Sequence, residues 1–204
     1  MFDPDKILVV DNLFPQWLQD NLDTQLFHYS GWQISSVLNS FVTVEGEHPL
    51  ETYCTKLLFH KMDNEWDEFN GVTRLITAAC ADGIKRAIPD VKIKECIRVR
   101  LNGTFKNLPL MVHLDSTTDA YGVWSIVYFL NDSDGGTSFY YDDGSTLAKT
   151  VPFKKGSAVI FPSCFYHHAE MPVEHTVRIT AGAMFVIDTE LNKNVFVNEK
   201  LLPT

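Results

Sequence analysis

The sequence is short of positive charge and lacks long apolar runs. Its 204 residues include 17 Lys or Arg against 26 Asp or Glu, which gives a net charge of −9. Binding to nucleic-acid phosphates or anionic membrane surfaces depends on a basic patch, so we expect neither partner. No stretch reaches the roughly 18 consecutive apolar residues of a transmembrane helix, so none is expected.

Cysteine motifs are also missing. The four cysteines are far apart and form no C-x-x-C pair, so neither a zinc finger nor a redox pair is indicated. The first residues, "MFDPDKILVV", have no basic segment and no long apolar core of the kind found in signal peptides. Together these features predict a cytoplasmic protein with reduced cysteines.

The first half of the chain carries two helical patterns. "FPQWLQDNLDTQLFHYS" has Pro15 at a first helical turn and apolar residues at helical spacing. "DEFNGVTRLITAACADGIKRAI" repeats an apolar stripe of Val72, Leu75, Ile76, Ala79 and Ile84. We expect both helices to support a sheet. Residues 33–60 are ambiguous and can be read as strands around a polar stretch. With loop 116–122 we expect them to border a substrate opening, and an ordinary surface loop is the alternative.

From residue 91 onward the chain reads as short strands separated by Gly, Asp and Pro turns. This texture is typical of an antiparallel sandwich or barrel such as a jelly roll. We therefore predict one α+β, mainly β domain over residues 1–204. Residues 1–90 form an N-terminal strand and helical support, and residues 91–190 form the jelly-roll core.

The stretch "PLMVHLDS" contains an H-x-D triplet, His113-Leu114-Asp115, on a predicted strand. Residues i and i+2 of a strand face the same side, so the imidazole and the carboxylate project together. They are two of the three ligands of a 2-His-1-carboxylate face that holds non-haem Fe(II). The triplet alone is weak evidence, because short motifs arise by chance.

A third ligand is available in "FPSCFYHHAEMPVEHTVR". His167 and His168 are adjacent, so on a strand they face opposite sides and only one can join the pair. The residues themselves leave this choice open. His175, in a polar turn, is the weaker candidate.

Arg178 lies in the apolar strand "TVRITAGAMFVI", which would bury its base. Alternation puts Thr180 and Gly182 on the same face, and no acidic residue of this strand can pair with the guanidinium. A buried guanidinium needs an anionic partner. A carboxylate ligand is a reasonable inference, since Arg binds carboxylates through a bidentate fork; the alternative is a surface Arg at a strand end.

From about Arg98 to Ile187 the chain resembles the Fe(II)/2-oxoglutarate-dependent oxygenases of the prolyl-4-hydroxylase-like branch. The matching stretches are "HLD", "SIVYFLND", "GGTSF", "KKGSAVIFPS", "HHAEMPV" and "VRITAGAMF". Members of this family carry H-x-x-x-P-V, with an Arg or Lys ten residues after that His. His168 satisfies both relations and His167 satisfies neither, so the resemblance favours His168.

The resemblance implies a cupin-like double-stranded β-helix with Fe(II) held by His113, Asp115 and His168. It implies that Arg178 binds the distal carboxylate of 2-oxoglutarate. The expected reaction is hydroxylation of a C–H bond with O2, releasing succinate and CO2, and ascorbate can support it. The analogous substrate is a prolyl residue in a peptide, with a free amino acid or another small molecule as the alternative.

One family feature is missing, because relatives place a second Tyr where this chain has Phe129 in "YFLN". Further contacts to the cosubstrate are therefore sought among Thr180, Asn102 and Tyr128, although regular pairing would turn Tyr128 to the other side.

Three other functions are weighed against this one. A non-catalytic cupin-like metal-binding or structural module would keep the barrel without turnover, and a zinc hydrolase would use a similar three-ligand face. A nucleic-acid demethylase of the AlkB type fits less well, because its second Arg falls at Met184 here.

Overall fold

The computed structural model describes residues 2–27, 33–37, 51–60, 65–66, 70–106, 111–116 and 122–192. These ranges hold two α-helices, α1 (Gln16–Phe27) and α2 (Asn70–Ala87). They also hold eleven strands: β1 (Leu8–Val10), β2 (Gln33–Val37), β3 (Glu51–His60), β4 (Glu65–Trp66), β5 (Lys92–Phe105), β6 (Val123–Phe129), β7 (Thr137–Tyr140), β8 (Leu147–Val151), β9 (Ala158–Pro162), β10 (His167–Ala169) and β11 (Val177–Asp188). Neither helix is long and apolar enough to cross a membrane.

The strands form two antiparallel sheets. The large sheet has eight strands in the order β1-β9-β6-β11-β5-β3-β2, with β4 paired to β3. The small sheet has the order β10-β7-β8. The segment 111–116 extends the small sheet, because His113 and His167 exchange backbone hydrogen bonds of 2.9 and 3.0 Å. The predicted mainly β jelly roll is confirmed.

Alternation along β11 divides the interior into two cores. Ile179, Ala181, Ala183, Phe185 and Ile187 belong to the helix-side core, which the large sheet forms with α1, α2 and the residues before α1. Arg178, Thr180 and Gly182 therefore face the other way, as predicted. There the two sheets enclose the barrel core, where Phe139 of the small sheet meets Phe161 of the large sheet edge to face at 4.8 Å.

Both helices pack against the large sheet, and most of their apolar residues that were expected to be buried are buried. Leu22 of α1 and Ile76, Cys80 and Ile84 of α2 are fully or almost fully buried in the helix-side core. Two members of the expected stripes face solvent instead, because Trp17 is 67% and Leu75 is 37% exposed. The first strand, β1, has only three residues, and Pro4–Lys6 form a 3-10 turn before it.

The expected substrate opening falls largely outside the described residues. Of 33–60 the structure describes only β2 and β3, which are strands as predicted, and of 116–122 only the two ends. The role of these segments and the division of the domain at residue 90 stay predictions.

The helix-side core predicts unequal effects of truncation at neighbouring positions on α2. Ile76→Ala should lower the free energy of unfolding by about 2–5 kcal/mol, because it empties a fully buried site. Leu75→Ala, one residue away, should cost less than about 1 kcal/mol, since Leu75 is 37% exposed and is not part of the buried core. Urea unfolding of both variants measures the difference, and equal losses would contradict this placement of α2.

Candidate active site

His113, Asp115 and His167 form a cluster on the barrel side of the small sheet. One ligand atom from each lies within 4.8 Å of the other two. His167 Nε2 is 3.7 Å from Asp115 Oδ2, and the two imidazole centroids are 4.5 Å apart. The segment 111–116, which carries His113 and Asp115, is joined to β10 by the His113–His167 bridge. Two imidazoles and a carboxylate converging in this way can hold a divalent metal ion.

Both histidines are oriented for metal binding by the same local device. The Nδ1 of His113 contacts the carbonyl of Met111 at 3.0 Å, and the Nδ1 of His167 contacts the carbonyl of Phe165 at 2.9 Å. A carbonyl only accepts, so each Nδ1 carries the proton and donates it. Each Nε2 is then left with a lone pair for a metal, which is the arrangement found behind metal-bound histidines.

The electrostatics of the cluster also suit a metal. Burial, assisted by the neighbouring His113, lowers the pKa of His167 to about 4, so its imidazole is neutral at pH 7. Burial pushes the pKa of Asp115 upward, but Arg98, His167 and His113 outweigh it, and this pKa lies well below its usual range. The set therefore offers one anionic and at least one neutral ligand without first losing protons.

The expectation that His168 is the third ligand is wrong in this geometry. On β10, His167 pairs with Phe139 and faces the barrel, where it packs against Phe161 at 4.7 Å. His168 pairs with Ser138 and points to the opposite side, where its Nδ1 lies 3.2 Å from the Tyr140 hydroxyl. It borders a separate half-open cavity of about 390 Å³ with Lys106 and Glu170.

Arg178 lies inside the barrel and is only 3% exposed. Its Nε donates to the carbonyl of Gly135 at 2.8 Å and its Nη2 to the hydroxyl of Thr137 at 2.9 Å. Both partners are neutral, and among the described residues Arg178 forms no ion pair. Burial lowers its pKa to about 9, partly offset by Glu170, so it stays charged at pH 7. A buried cation of this kind calls for an anionic ligand.

The wall beside Arg178 also offers polar groups and space. Thr180 is 1% exposed, and its hydroxyl has no hydrogen-bond partner in the part of the chain that the structure describes. Thr180 pairs with Asn102 of β5, so both face the barrel. A Cβ on Gly182 would meet nothing closer than 3.9 Å, where the Asn102 amide nitrogen lies. An unpaired guanidinium, an orphan hydroxyl and open room fit the carboxylate of a small dianionic ligand.

Tyr128 and Phe129, at the end of β6, face opposite sides of the large sheet, as alternation requires. Tyr128 is fully buried in the helix-side core, with its ring against Phe14 at 5.2 Å. The expectation that Tyr128 contacts the cosubstrate is therefore wrong. Phe129 faces the barrel instead, and the guanidinium carbon of Arg178 lies 5.6 Å from its ring and 5.4 Å from that of Phe153. The missing tyrosine hydroxyl is replaced there by an aromatic clamp around Arg178.

The connection from β10 to β11 is fixed by Asp134. Its Oδ2 accepts the backbone N–H groups of Val173 and Glu174 at 2.8 and 2.9 Å. Its Oδ1 accepts from the backbone and the ring of His175 at 3.2 and 3.0 Å. This single carboxylate therefore holds the turn that separates His167 from Arg178.

Sequence reasoning missed two residues that contact the cluster. Arg98 Nη2 donates to Asp115 Oδ1 at 2.8 Å, and the Ser125 hydroxyl donates to Asp115 Oδ2 at 2.6 Å. A signal existed in each case. Arg98 and Arg100 alternate with apolar residues in "CIRVRLN", and Ser125 is the polar residue of "VWSIVYF". Buried polar residues on the barrel face of a strand need a partner there.

Comparison with known proteins agrees with this geometry. The family model of the 2OG-Fe(II) oxygenase superfamily matches residues 104–185, which include the whole His113, Asp115 and His167 cluster and Arg178. A search of curated protein sequences found no match to the chain.

Solved structures share the fold at low sequence identity. A prolyl-4-hydroxylase from Pseudomonas putida superposes with a TM-score of 0.59 at 13% identity, covering 89% of this chain and 92% of its own. A prolyl hydroxylase from Trichoplax adhaerens, in complex with a hypoxia inducible factor peptide fragment, gives 0.60 at 12%, covering 89% and 83%. HygX from Streptomyces hygroscopicus, with nickel, 2-oxoglutarate and hygromycin B bound, gives 0.57 at 9%, covering 89% and 82%.

The matched family model and a site whose residues suit a divalent metal and a small dicarboxylate lead to the same conclusion. Residues 104–185 match the 2OG-Fe(II) oxygenase superfamily, and the chain shares the double-stranded β-helix fold of solved prolyl-4-hydroxylases.

Proposed function

We propose that His113, Asp115 and His167 hold the Fe(II) of this dioxygenase and that Arg178 binds the distal carboxylate of 2-oxoglutarate. One observation carries the proposal. The same barrel interior contains a His-Asp-His set with both Nε2 atoms available and a buried arginine that forms no ion pair with any described residue. Thr180 and Asn102 are the proposed additional contacts to the cosubstrate, in place of the family's tyrosine.

When bound, Fe(II) and 2-oxoglutarate supply O2 activation, in which the cosubstrate is decarboxylated to succinate and one oxygen atom enters a C–H bond. The chain's own residues bind and orient. Three ligands on one face leave the remaining positions of the metal for the cosubstrate and O2. Phe139 and Phe161 pack beside His167 and limit access of water to that face.

The proposed substrate is a peptide or a free amino acid, with hydroxylation at a prolyl residue as the leading case. Support comes from the prolyl hydroxylases of the same fold, one of which was solved with a peptide. HygX was solved with hygromycin B, so the fold also accepts a small molecule. The net charge of −9 favours neither nucleic acid nor an anionic surface as a partner.

Removal of the carboxylate ligand tests the enzymatic role. Asp115→Ala should lower 2-oxoglutarate turnover more than about 100-fold, since ligand loss should cost at least as much as loss of a residue that only supports a ligand. The measurement is succinate formation with Fe(II) and ascorbate, alongside a mass-spectrometric search for a +16 Da product in treated peptides. Asp82→Ala, in an exposed ion pair on α2, is the control. No turnover and no 2-oxoglutarate binding in the unaltered protein would favour a non-catalytic module.

The two adjacent histidines give a test of register. His167→Ala should weaken Mn²⁺ binding by more than about 100-fold, because it removes a ligand, whereas His168→Ala should change it by no more than a few fold. Isothermal titration calorimetry of both variants gives the affinities. The reverse order would mean that His168 faces the metal and that β10 is shifted by one residue.

The proposed role of Arg178 predicts that its removal weakens 2-oxoglutarate binding and leaves metal binding nearly unchanged. Arg178→Met should weaken 2-oxoglutarate binding to the Mn²⁺-loaded protein by about 2–5 kcal/mol, the cost of removing one member of a buried charge pair. Metal affinity should stay within a few fold. Arg86→Met, which removes an exposed cation from α2, serves as the control. An unchanged 2-oxoglutarate affinity in Arg178→Met would refute the anchor.

A further inference from the structure

Both carboxylate oxygens of Asp115 accept hydrogen bonds from side chains of the protein. Arg98 Nη2 donates to Oδ1 at 2.8 Å, and the side chains of the pair are only 23% and 16% exposed. Ser125 donates to Oδ2 at 2.6 Å. A hydrogen bond between partly buried charged groups is stronger than one between neutral groups. The orientation of this carboxylate is therefore set by the protein on two sides.

The two oxygens have different surroundings. Oδ2 is the one that faces the cluster, since it lies 3.7 Å from His167 Nε2. Oδ2 also accepts the proton of the Ser125 hydroxyl. Because that hydroxyl has only one proton to donate, its oxygen accepts from the Ser163 hydroxyl at 2.8 Å. Oδ1 is turned to the guanidinium of Arg98.

The backbone of the ligand segment is held in the same place. The N–H groups of Asp115 and Ser116 both donate to the carbonyl of Ser163, at 3.0 and 3.1 Å. Ser163 therefore fixes the backbone of Asp115 and, through Ser125, its side chain. Arg98 is the remaining contact, and among the described residues it is the cationic one that donates to the carboxylate.

We propose that Arg98 is a positioning residue that keeps Asp115 a monodentate metal ligand, and this rests on the metal site proposed above. A carboxylate can bind a cation through one oxygen or through both. Binding through both would use a further position of an octahedral ion, which has three left once three side chains have each used one. The bond from Arg98 holds Oδ1 away from the metal and leaves Oδ2 as the ligand atom.

The consequence concerns the number of exchangeable positions on the metal. Bound 2-oxoglutarate would need two of them for its 2-oxo and carboxylate groups, which would leave one for O2. A bidentate Asp115 would leave only two, so cosubstrate and O2 would compete. Arg98 thereby preserves the position that O2 requires, although it touches neither the metal nor the substrate.

The test counts water on the metal without using activity. The protein is loaded with Mn²⁺ in ¹⁷O-enriched water, and the broadening of the electron paramagnetic resonance lines gives the number of metal-bound waters. Three are expected in the unaltered protein. Arg98→Met, which removes the donor, should lose one water and give two. Arg98→Lys restores a cation next to Oδ1 and should return the count to three.

Lys94→Met is the matched control. It removes a cation from the same strand, where Lys94 pairs with Asp188 at 3.9 Å on the exposed surface, and it should keep three waters. Two waters in the unaltered protein, three in Arg98→Met or two in Arg98→Lys would each overturn the role of Arg98 while leaving the metal site intact. Failure of the unaltered protein to bind Mn²⁺ would instead remove the metal site and this inference with it.

Discussion

The site depends on the two-residue alternation of side chains across paired strands. On β11 this alternation puts Arg178 and Thr180 into the barrel while Ile179 and Ala181 pack beneath the helices. On β10 it turns His167 inward and His168 outward. A shift of one residue in either strand would exchange the two faces. The dense helix-side core makes such a shift costly, and so the packing of α2 indirectly secures the chemistry.

The Asp115 carboxylate and the Arg178 guanidinium lie in the same barrel, but their charges are compensated differently. Asp115 has its partners in place, because Arg98 and Ser125 compensate its charge. Arg178 is surrounded by neutral acceptors and the rings of Phe129 and Phe153. This difference fits the proposed roles, in which the carboxylate binds a cation that stays and the guanidinium binds an anion that exchanges. This asymmetry is what a resident metal and a consumed cosubstrate require.

Much of this could be predicted from the sequence, because periodicity and spacing are local. The jelly roll, the H-x-D pair and the inward face of Arg178 follow from alternation and turn residues alone. The choice of His168 failed because it relied on the ten-residue step to Arg178, whereas pairing with Phe139 decides the matter in three dimensions. Arg98 could not be assigned either, since its contact with Asp115 joins β5 to a segment outside that strand.

In the proposed site, the hydrogen bonds of Asp134 would set the distance between the groups that hold the two ends of the cosubstrate. Four hydrogen bonds from residues 173–175 converge on one carboxylate, so the turn between His167 and Arg178 cannot easily lengthen or contract. Metal ligand and guanidinium are then fixed points on rigid strands. The proposed pocket would then select dicarboxylates by length, since one that is longer or shorter by one methylene would reach the metal or Arg178 but not both.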